Sequence, residues 1–254
     1  METTADPAPR RDTRVHREVV SYVRRSARMR PHQRRAWDEH HARFVLSVDR
    51  SETSTSVHPL AGALDLDVAF GRSGAPLVVE IGPGTGESLV PMAAARPEAD
   101  VLAFEVYQPA IAQILAQLVV RGVDNVRLVE ADASAGLRQL VAPGSIDELW
   151  TFFPDPWPKA KHHKRRLVAP EFVTVAASRL KDGASWRLAT DWEDYAVQMR
   201  SVLDGHPAFE RAFAGPESGP RWEERPMTRF EGRGLAVGRR IFDLCYRRVS
   251  DEPR

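Results

Sequence analysis

Short apolar segments alternate with helix-like segments along most of this chain, and that alternation limits the folds open to it. The apolar segments cover residues 77–81, 101–106, 126–129, 146–153 and 185–190. The helix-like segments lie near residues 86–95, 108–121, 134–141, 170–180 and 192–203. Two more strand-like segments follow near residues 208–214 and 239–248. The pattern predicts an α/β fold with a doubly wound, mostly parallel seven-stranded sheet and helices on both of its faces.

Three regions are expected along the chain: a basic N-terminal arm and helix (1–50), a connecting segment (51–75) and the α/β domain (76–250). The formal net charge is only +1, yet residues 8–35 contain ten arginines and two acids, so basic charge is concentrated locally. The N-terminal sequence lacks the apolar core of a secretory signal, and no apolar run approaches the roughly 18–20 residues of a membrane helix. A cytoplasmic protein with no membrane association is therefore expected.

The first apolar segment leads directly into a glycine-rich turn that contains Gly82, Gly84 and Gly86. Glycine allows a tight strand-to-helix turn and lets a ligand approach the backbone closely. A dinucleotide site has the pattern G-x-G-x-x-G, because the pyrophosphate rests on the helix N-terminus. Here the spacing is G-x-G-x-G, and the sixth position is Glu87, whose carboxylate would repel a pyrophosphate. The turn therefore favours a nucleoside ligand without phosphate.

Acidic residues stand near the ends of the first three predicted strands. Glu80 is in the first strand, Glu105 ends the second strand nineteen residues beyond Gly86, and Asp132 lies just past the third strand. Parallel sheets bind ligands at the carboxyl ends of their strands, and the spacing to Glu105 is usual for an acceptor of ribose hydroxyls. Asp132 suits an adenine amino group, and Glu80 suits a cationic head. S-adenosylmethionine carries an ammonium, a sulfonium and no phosphate, so it fits this set of acids.

The fourth predicted strand ends in the proline-rich turn Phe152-Phe153-Pro154-Asp155-Pro156-Trp157-Pro158-Lys159. Because proline removes backbone freedom, Asp155 and Trp157 are predicted to be presented in a nearly fixed geometry. A rigid acid beside an aromatic surface suits a planar nucleobase. Two alternatives stay open: Asp155 could stabilise its own turn, and Trp157 could cover the core instead of stacking on a base.

Basic residues follow this turn closely, five of them within eight positions: Lys159, Lys161, Lys164, Arg165 and Arg166. Beside an acid and an aromatic ring, they are expected to contact the phosphates of a nucleic acid, although a solvated charged surface is the alternative. His162 and His163 are adjacent and point in opposite directions, so no metal site is predicted.

Two later segments are candidates for the same site. Asp191 ends the fifth strand, where it could cap the following helix, face the pocket, or do both. The run Thr228-Arg229-Phe230-Glu231 offers a donor, a cation, an aromatic ring and an acceptor within four residues. Alone, that run is weak evidence for a binding site.

Together these segments resemble the bacterial tRNA (guanine-N7-)-methyltransferase family over most of residues 21–249. The resemblance rests on Ser21-Tyr22-Val23-Arg24-Arg25 with Gln33, Val79–Glu87, Phe104-Glu105-Val106, Phe153–Lys159, His162–Arg166, Ala189-Thr190-Asp191-Trp192 and Thr228–Glu231. It implies the class I S-adenosylmethionine-dependent methyltransferase fold and methyl transfer to N7 of a guanosine in tRNA, in the variable loop. The implied partner is tRNA, with no obligate protein partner, and the enzyme is expected to be a monomer or a homodimer.

The resemblance also implies roles for individual residues. The S-adenosylmethionine site would comprise Glu80, Gly82, Gly84, Gly86, Glu105, Asp132 and Asp155. The target nucleotide would be bound by Lys159, Asp191, Thr228, Arg229, Phe230 and Glu231.

Asp155 is the predicted catalytic residue. Guanine N7 is an unprotonated ring nitrogen with an in-plane lone pair, so its attack on a methyl group needs no general base. A carboxylate can accept hydrogen bonds from N1–H and the exocyclic amine, and it favours the positive charge that develops on the ring. Asp155 has the chemistry for both tasks.

Two alternative functions remain at this stage. One is an amino-methyltransferase acting on adenine or cytosine, since the Pro-Asp-Pro-Trp turn loosely resembles the Asp-Pro-Pro-aromatic turn of those enzymes. That reading is weakened by the lack of consecutive prolines. The other is a non-catalytic RNA-binding protein, which would have no reason to retain the acidic residues at successive strand ends.

Overall fold

The computed structural model describes residues 21–22, 28–51, 55–213 and 219–250. Within these ranges the chain forms seven strands: β1 (Leu77–Ile81), β2 (Asp100–Glu105), β3 (Val126–Glu130), β4 (Ile146–Phe152), β5 (Leu180–Thr190), β6 (Phe209–Arg211) and β7 (Phe242–Arg248). They make one sheet in the order β3-β2-β1-β4-β5-β7-β6. The first five strands run parallel, whereas β7 pairs antiparallel with both β5 and β6. The predicted mostly parallel seven-stranded sheet is confirmed.

The helices of the described ranges are α1 (Pro31–Phe44), α2 (Leu66–Phe70), α3 (Leu89–Ala94), α4 (Gln108–Arg121), α5 (Ala133–Leu140), α6 (Pro170–Arg179), α7 (Glu193–Asp204) and α8 (Arg229–Ala236). A 3-10 helix covers Ala160–Arg165. The buried apolar residues form two clusters, in keeping with a sheet covered by helices on both faces. The same burial explains why the central strands read as continuous apolar runs, since every residue of β1 and β2 is buried.

The order of the strands creates the ligand edge of the sheet. After β1 the chain builds outward through β2 and β3, and it then returns to the other side of β1 to form β4. Because the loops after β1 and β4 leave the sheet in opposite directions, a crevice opens between them at the carboxyl ends of these strands. The glycine-rich turn and the Pro154-Asp155-Pro156 turn both lie at this crevice.

Local chemistry shifts several predicted boundaries. The helix expected at 86–95 begins only at Leu89, because the preceding backbone turns through Gly84 and Gly86 in the left-handed region. The fifth strand begins at Leu180 and not at residue 185, and its pairing with β4 contains an irregularity at Ile146. The connecting segment contains the short helix α2, which has Asp65 as its N-cap and Gly71 at its C-cap.

The helix expected within residues 1–50 is α1, which packs on the sheet domain. Its last residue, Phe44, is fully buried, and Val45 forms a bridge with Leu128 of β3. The Gln33 side chain donates a 3.0 Å hydrogen bond to the carbonyl of Pro109 at the start of α4. The part of the expected basic arm that precedes residue 21 lies outside the described residues, and the boundary at residue 76 stays a prediction.

Candidate active site

A cavity of about 260 Å³ opens at the carboxyl edge of β1, β2 and β4. Five of the predicted site residues line it: Gly82, Gly84, Glu105, Asp132 and Asp155. They come from the ends of four different strands, so the fold brings together residues spread over more than seventy positions of sequence. This is the crevice that the strand order predicts.

The three glycines of the turn have two different roles. Gly82 and Gly84 have φ angles of 65° and 57°, and a Cβ atom built on either would meet no atom of the described residues within 4 Å. Their backbone therefore faces open space, where a ligand can approach it. Gly86 does not line the cavity. A Cβ atom there would lie 2.9 Å from Cγ1 of Ile114 in α4, so Gly86 permits close packing beneath the turn.

Glu105 is held by backbone amides at the end of β2. Its Oε2 accepts a 2.9 Å hydrogen bond from the Gly84 amide, and its Oε1 accepts bonds of 2.8 and 2.9 Å from Val106 and Tyr107. These bonds fix the carboxylate and attach the glycine turn to the second strand. A carboxylate fixed in this way is an acceptor group of the kind that binds ribose hydroxyls.

Asp132 sits in the N-cap position of α5. Its Oδ1 accepts hydrogen bonds of 3.0 and 3.1 Å from the amides of Ser134 and Ala135. Its own amide donates a 2.8 Å bond to the carbonyl of Thr55. The cap therefore orients the carboxylate beside the cavity. It also provides an acceptor for backbone amides of the first helical turn, which have no partner within the helix.

Glu80 lies deeper than the other acids, immediately before the cavity-lining Ile81. The residue is only 2% exposed, and its Oε2 has no hydrogen-bond partner among the described residues. Burial, assisted by the nearby charge of Glu105, raises the pKa of Glu80 to about 8. An unpartnered buried carboxyl is costly by itself, and a cationic ligand in the cavity would stabilise its ionised form. Glu80 thus fits a ligand that carries positive charge.

The Asp155 turn is held in an unusual backbone conformation. Phe153 and Trp157, which flank it, have φ angles of 51° and 46°, in the left-handed region that bulky residues rarely occupy. The Phe153 amide donates a 2.8 Å bond to Ala189 of β5, and the Trp157 indole N–H donates a 2.9 Å bond to the carbonyl of Ser21. These contacts on both sides of the turn place Asp155 at the cavity.

Trp157 belongs to the surface of the site and not to the apolar core. The residue is half-buried, and the Arg165 guanidinium lies 4.0 Å from the centroid of its ring. His162 contacts the same ring edge-on, with centroids 5.8 Å apart. The alternative that Trp157 covers the core is therefore incorrect, whereas stacking on a base stays a prediction.

The five basic residues after the turn differ in burial, and Arg165 is the half-buried one that lies against Trp157. Lys159, Lys161 and Lys164 are exposed on the 3-10 helix and at its start. Arg166 is buried, and it donates hydrogen bonds to Pro156 O (2.8 Å), Gln198 Oε1 (2.9 Å) and Asp194 Oδ2 (2.7 Å). The expected phosphate contact of Arg166 is thus corrected, since its guanidinium supports the turn from within the protein.

The predicted target-side residues lie outside the cavity lining. Lys159 is exposed and precedes the 3-10 helix. Asp191 is buried at the end of β5, where its Oδ2 accepts a 2.6 Å bond from Arg239. Asp191 does not cap α7, whose N-cap position is occupied by Trp192.

The segment from Thr228 to Glu231 forms the first turn of α8. Thr228 is the N-cap, and its hydroxyl accepts a 3.0 Å bond from the Glu231 amide. Arg229 donates to Glu87 of the glycine turn through both its backbone amide (2.6 Å) and its guanidinium (2.5 Å). The Phe230 ring lies 5.3 Å from the Phe153 ring. Glu231 is fully buried, and its two carboxylate oxygens accept bonds from arginine side chains.

Other cavity-lining residues had no role in the sequence-based site, among them Ser21, Tyr22, Thr85, Tyr107, Phe153 and Leu167. Ser21 and Tyr22 are joined to the site by the Trp157 bond and by a 2.8 Å hydrogen bond between the Tyr22 and Thr55 hydroxyls. The one available signal was their place in the resemblance. Composition and periodicity carry no information about such distant contacts.

Within the described ranges, no group of three or more His, Cys, Asp or Glu residues is arranged to hold a metal ion. None of the helices in those same ranges has both the length and the apolar character to cross a membrane.

Solved structures share this fold at low sequence identity. The crystal structure of the 16S rRNA methyltransferase KamB aligns with 74% of this chain and 95% of its own, with a TM-score of 0.53 and 18% identity. The structure of TrmN from Thermus thermophilus aligns with 69% of this chain and 44% of its own, with a TM-score of 0.50 and 17% identity. These likenesses establish a methyltransferase fold.

Sequence comparisons identify the family. A family model described as "Putative methyltransferase" matches residues 74–244. The tRNA (guanine-N(7)-)-methyltransferase of Cutibacterium acnes is 51% identical over 96% of this chain and 88% of its own. The corresponding proteins of a Nocardioides species and of Burkholderia cenocepacia are 49% and 42% identical, over 93% and 98% of this chain and 90% and 92% of their own. With a cavity that fits a cationic nucleoside and relatives this similar over nearly its whole length, the chain belongs to the tRNA (guanine-N7-)-methyltransferase family.

Proposed function

We propose that this protein transfers the methyl group of S-adenosylmethionine to N7 of a guanosine in tRNA. One observation carries the proposal: the Asp155 turn and the acids of the first three strands line or adjoin one cavity in a chain of this family. The family gives the chemistry, and the cavity supplies a place for both the methyl donor and an acid beside it. We place the modified guanosine in the variable loop, as the family resemblance implies.

The residues present fit the methyl donor. S-adenosylmethionine supplies a methyl group on a sulfonium centre. When the methyl group is transferred, the sulfur departs as a neutral thioether, which is a good leaving group. The buried Glu80 carboxyl, whose Oε2 has no hydrogen-bond partner among the described residues and whose pKa is raised, suits the positive charge of the donor. The amide-bound Glu105 would accept from the ribose hydroxyls, and Asp132, which its capping bonds hold in place, would accept from the adenine amino group.

We assign the catalytic role to Asp155. Its position on the cavity wall, between two constrained residues, allows it to hold a guanine base in line with the donor. Positioning of this kind can supply most of the rate enhancement, because guanine N7 attacks without prior deprotonation. The carboxylate accepts hydrogen bonds from the base and favours the positive charge that forms on the ring during transfer.

Target binding is assigned by exposure. The exposed Lys159, Lys161 and Lys164 suit contacts with phosphates. Phe230 is 44% exposed and suits stacking on a base. The Arg229 side chain is 79% exposed in its pair with Glu87, so it is available to RNA. Asp191 and Thr228 have partners inside the protein and are assigned to holding α8 and its surroundings in place.

The test is nucleoside analysis of tRNA after incubation with the protein and methyl-labelled S-adenosylmethionine. The proposal expects label in 7-methylguanosine, and digestion to oligonucleotides should map that label to the variable loop. Transcripts in which the variable-loop guanosine is replaced by adenosine serve as the matched control and should remain unlabelled.

Other outcomes identify the alternatives. Label in N6-methyladenosine or in methylated cytosine would indicate an amino-methyltransferase. Cofactor binding by calorimetry without transfer to any nucleoside would indicate a non-catalytic RNA-binding protein. Since tRNA is the substrate, we expect the enzyme to act in the cytoplasm, and analytical ultracentrifugation would decide between the monomer and the homodimer.

A further inference from the structure

A cluster of four charged side chains, three of them buried, lies beneath α8. It consists of Arg221, Arg225, Glu231 and Asp243, and we call it the Arg225 cluster. Arg225 Nη1 lies 2.7 Å from Glu231 Oε2, and Nη2 lies 3.0 and 3.1 Å from the two oxygens of Asp243. Arg221 completes the cluster with bonds of 2.9 and 3.3 Å to the two oxygens of Glu231.

Burial distinguishes this cluster from the surface ion pairs of the protein. The side chains of Arg225 and Glu231 are completely buried, and that of Asp243 is 9% exposed. Arg225 faces both buried carboxylates, and the partly exposed Arg221 supplies the second positive charge that balances them. Burial raises the pKa of Asp243, and the adjacent Arg225 opposes that rise. None of the three innermost groups can reach an RNA molecule on the surface.

The cluster joins three elements, one of which leads into the wall of the cavity. Glu231 belongs to α8, Asp243 belongs to β7, and the Arg225 guanidinium lies 5.4 and 5.1 Å from the ring centroids of Phe152 and Phe153 at the end of β4. Phe153 lines the cavity and comes two residues before Asp155. One planar guanidinium therefore contacts the helix on the target side and the turn that carries the catalytic acid.

We propose that Arg225 and Glu231 are a pair of positioning residues, which fix α8 and the Phe153–Asp155 turn relative to each other. In this assignment Glu231 does not bind the target nucleotide, because its oxygens are committed to Arg221 and Arg225 inside the protein. The inference rests on the proposed function and deepens it by separating the residues that touch RNA from those that hold them.

The physical reason is the distance sensitivity of methyl transfer. The acceptor nitrogen must be held near the methyl carbon, and a displacement of about 1 Å can cost roughly 10²-fold in rate. The rings of Phe153 and Phe230 are packed together, so a shift of α8 would move the cavity wall directly. Arginine suits this role better than lysine, because its planar fork meets two carboxylates at once.

The principal test replaces Arg225→Lys, which keeps the charge and removes the fork. At saturating tRNA and S-adenosylmethionine, the single-turnover rate constant should fall about tenfold or more. The dissociation constant for S-adenosylmethionine should stay within about twofold of the wild-type value, since the acids of β1–β3 are untouched. All rates are measured well below each variant's melting temperature, with the folded state checked by circular dichroism.

Arg248→Lys is the matched control. Arg248 is also a buried arginine of the C-terminal region, but it donates to the carbonyl of Ala177, away from the cavity. Its replacement should lower the melting temperature and leave the single-turnover rate constant unchanged. The comparison separates a loss of stability from a loss of positioning.

Glu231→Gln gives a second, independent variant, because it retains the shape of the side chain and one acceptor oxygen. The rate should fall at saturation, and the double variant with Arg225→Lys should be little worse than Arg225→Lys alone, since both changes break the same contact. If Arg225→Lys does not fold, Glu231→Gln and Asp243→Asn decide the proposal by the same rate measurement.

Two results would overturn the inference. One is a wild-type rate at saturation in Arg225→Lys despite a lowered melting temperature, which would leave the cluster with a role in stability alone. The other is a Glu231→Gln variant whose sole defect is weaker tRNA binding, additive with Arg225→Lys, which would make Glu231 an RNA contact. A wild-type protein that labels no guanosine removes the proposed function itself, whereas an active wild type with unaltered variants removes this inference alone.

Discussion

The two sides of the active site are built differently. On the cofactor side, the acids Glu105 and Asp132 come directly from strand ends, and backbone amides within a few residues or on the adjacent turn hold them. On the target side, the Asp155 turn and α8 are held by side chains from distant parts of the sequence. The bond from Trp157 to Ser21 spans 136 residues, and the bond from Arg229 to Glu87 spans 142.

This difference predicts what a substitution on each side of the active site will change. A site held by its own backbone is largely formed once the sheet has formed. A site held by long-range side-chain contacts depends on several elements at once, so single substitutions there can alter geometry without touching a ligand. We therefore expect cofactor-side substitutions to change affinity and target-side substitutions to change rate.

The largest effect is expected for Asp155→Asn. The amide keeps the size of the side chain but removes its charge and turns a donor toward the donors of guanine. Single-turnover methyl transfer should slow by about 10²-fold or more, as for the loss of one preorganised electrostatic group. S-adenosylmethionine affinity should change little, and Asp124→Asn, at an exposed pair with Arg43, is the control. A wild-type rate would show that Asp155 only stabilises its turn, and it would contradict the expectation that target-side substitutions change the rate.

Glu105→Ala should show the opposite pattern. Loss of a charged acceptor costs roughly 1.5–3 kcal/mol, so S-adenosylmethionine should bind about 10- to 100-fold more weakly by calorimetry. The affinity for tRNA, measured by filter binding, should remain near that of the wild type. Glu98→Ala, at an exposed residue before β2, serves as the control. Unchanged cofactor affinity would contradict the role of Glu105 and the expectation that cofactor-side substitutions change affinity.

Within the target side, the exposed basic residues after the Asp155 turn are expected to differ from the buried Arg166 in their effect on tRNA binding. Replacing Lys161 and Lys164 by glutamine should flatten the plot of log affinity for tRNA against log salt by roughly 1.5 units, because each phosphate contact contributes about 0.7–0.9. Methylation at saturating tRNA should recover. Arg166→Gln should leave the salt slope unchanged and lower the melting temperature, since Arg166 is buried against Pro156, Gln198 and Asp194. A slope that responds to Arg166 instead would reverse this division.

The smallest expected effect is a pH dependence of cofactor binding that arises from Glu80. Burial raises the pKa of Glu80 to about 8 in the folded protein, above its ordinary value of 4.5. The folded state therefore holds a proton that the unfolded state has released, and the stability of the ligand-free protein should fall as pH rises from about 4.5 to about 8. A cationic ligand favours ionised Glu80, so its affinity should rise about tenfold between pH 7 and 9.

Glu80→Gln should abolish that pH dependence, because glutamine does not titrate. Calorimetry in buffers of different ionisation enthalpy should also show that wild-type binding releases a proton near pH 7 and that the variant does not. An equal pH response in both proteins would assign it to another group.

The sequence predicts the cofactor side well for a physical reason. Glu80, Glu105 and Asp132 stand at the ends of apolar runs, and the carboxyl ends of parallel strands meet at one edge of a sheet. Burial and the ligand edge therefore follow from short-range patterns, whereas the order of the strands in the sheet was not predicted. The glycine turn was predicted in the same way, although Gly86 proved to face Ile114 and not the cavity.

The target side was harder to predict because its contacts follow no periodic pattern. Arg166 and Arg165 are adjacent and chemically identical, yet one is buried and bonded to Asp194 and the other covers the Trp157 ring. Glu231 resembled a surface acceptor, and its burial with Arg225 depends on how α8 docks. Charged residues in a linear sequence do not reveal whether their partner is a ligand or another part of the fold.

The left-handed backbone at Phe153 and Trp157 has a consequence for protein design. Only glycine adopts such φ angles without a steric penalty, so a sequence optimised for this backbone alone would place glycine at both positions. That sequence would relax the turn and delete the ring that lines the cavity and the ring that anchors Ser21. Local conformational preference and the requirements of the site therefore conflict at these two residues. A redesign of this enzyme has to keep both aromatic residues, although the backbone conformation at these positions favours glycine.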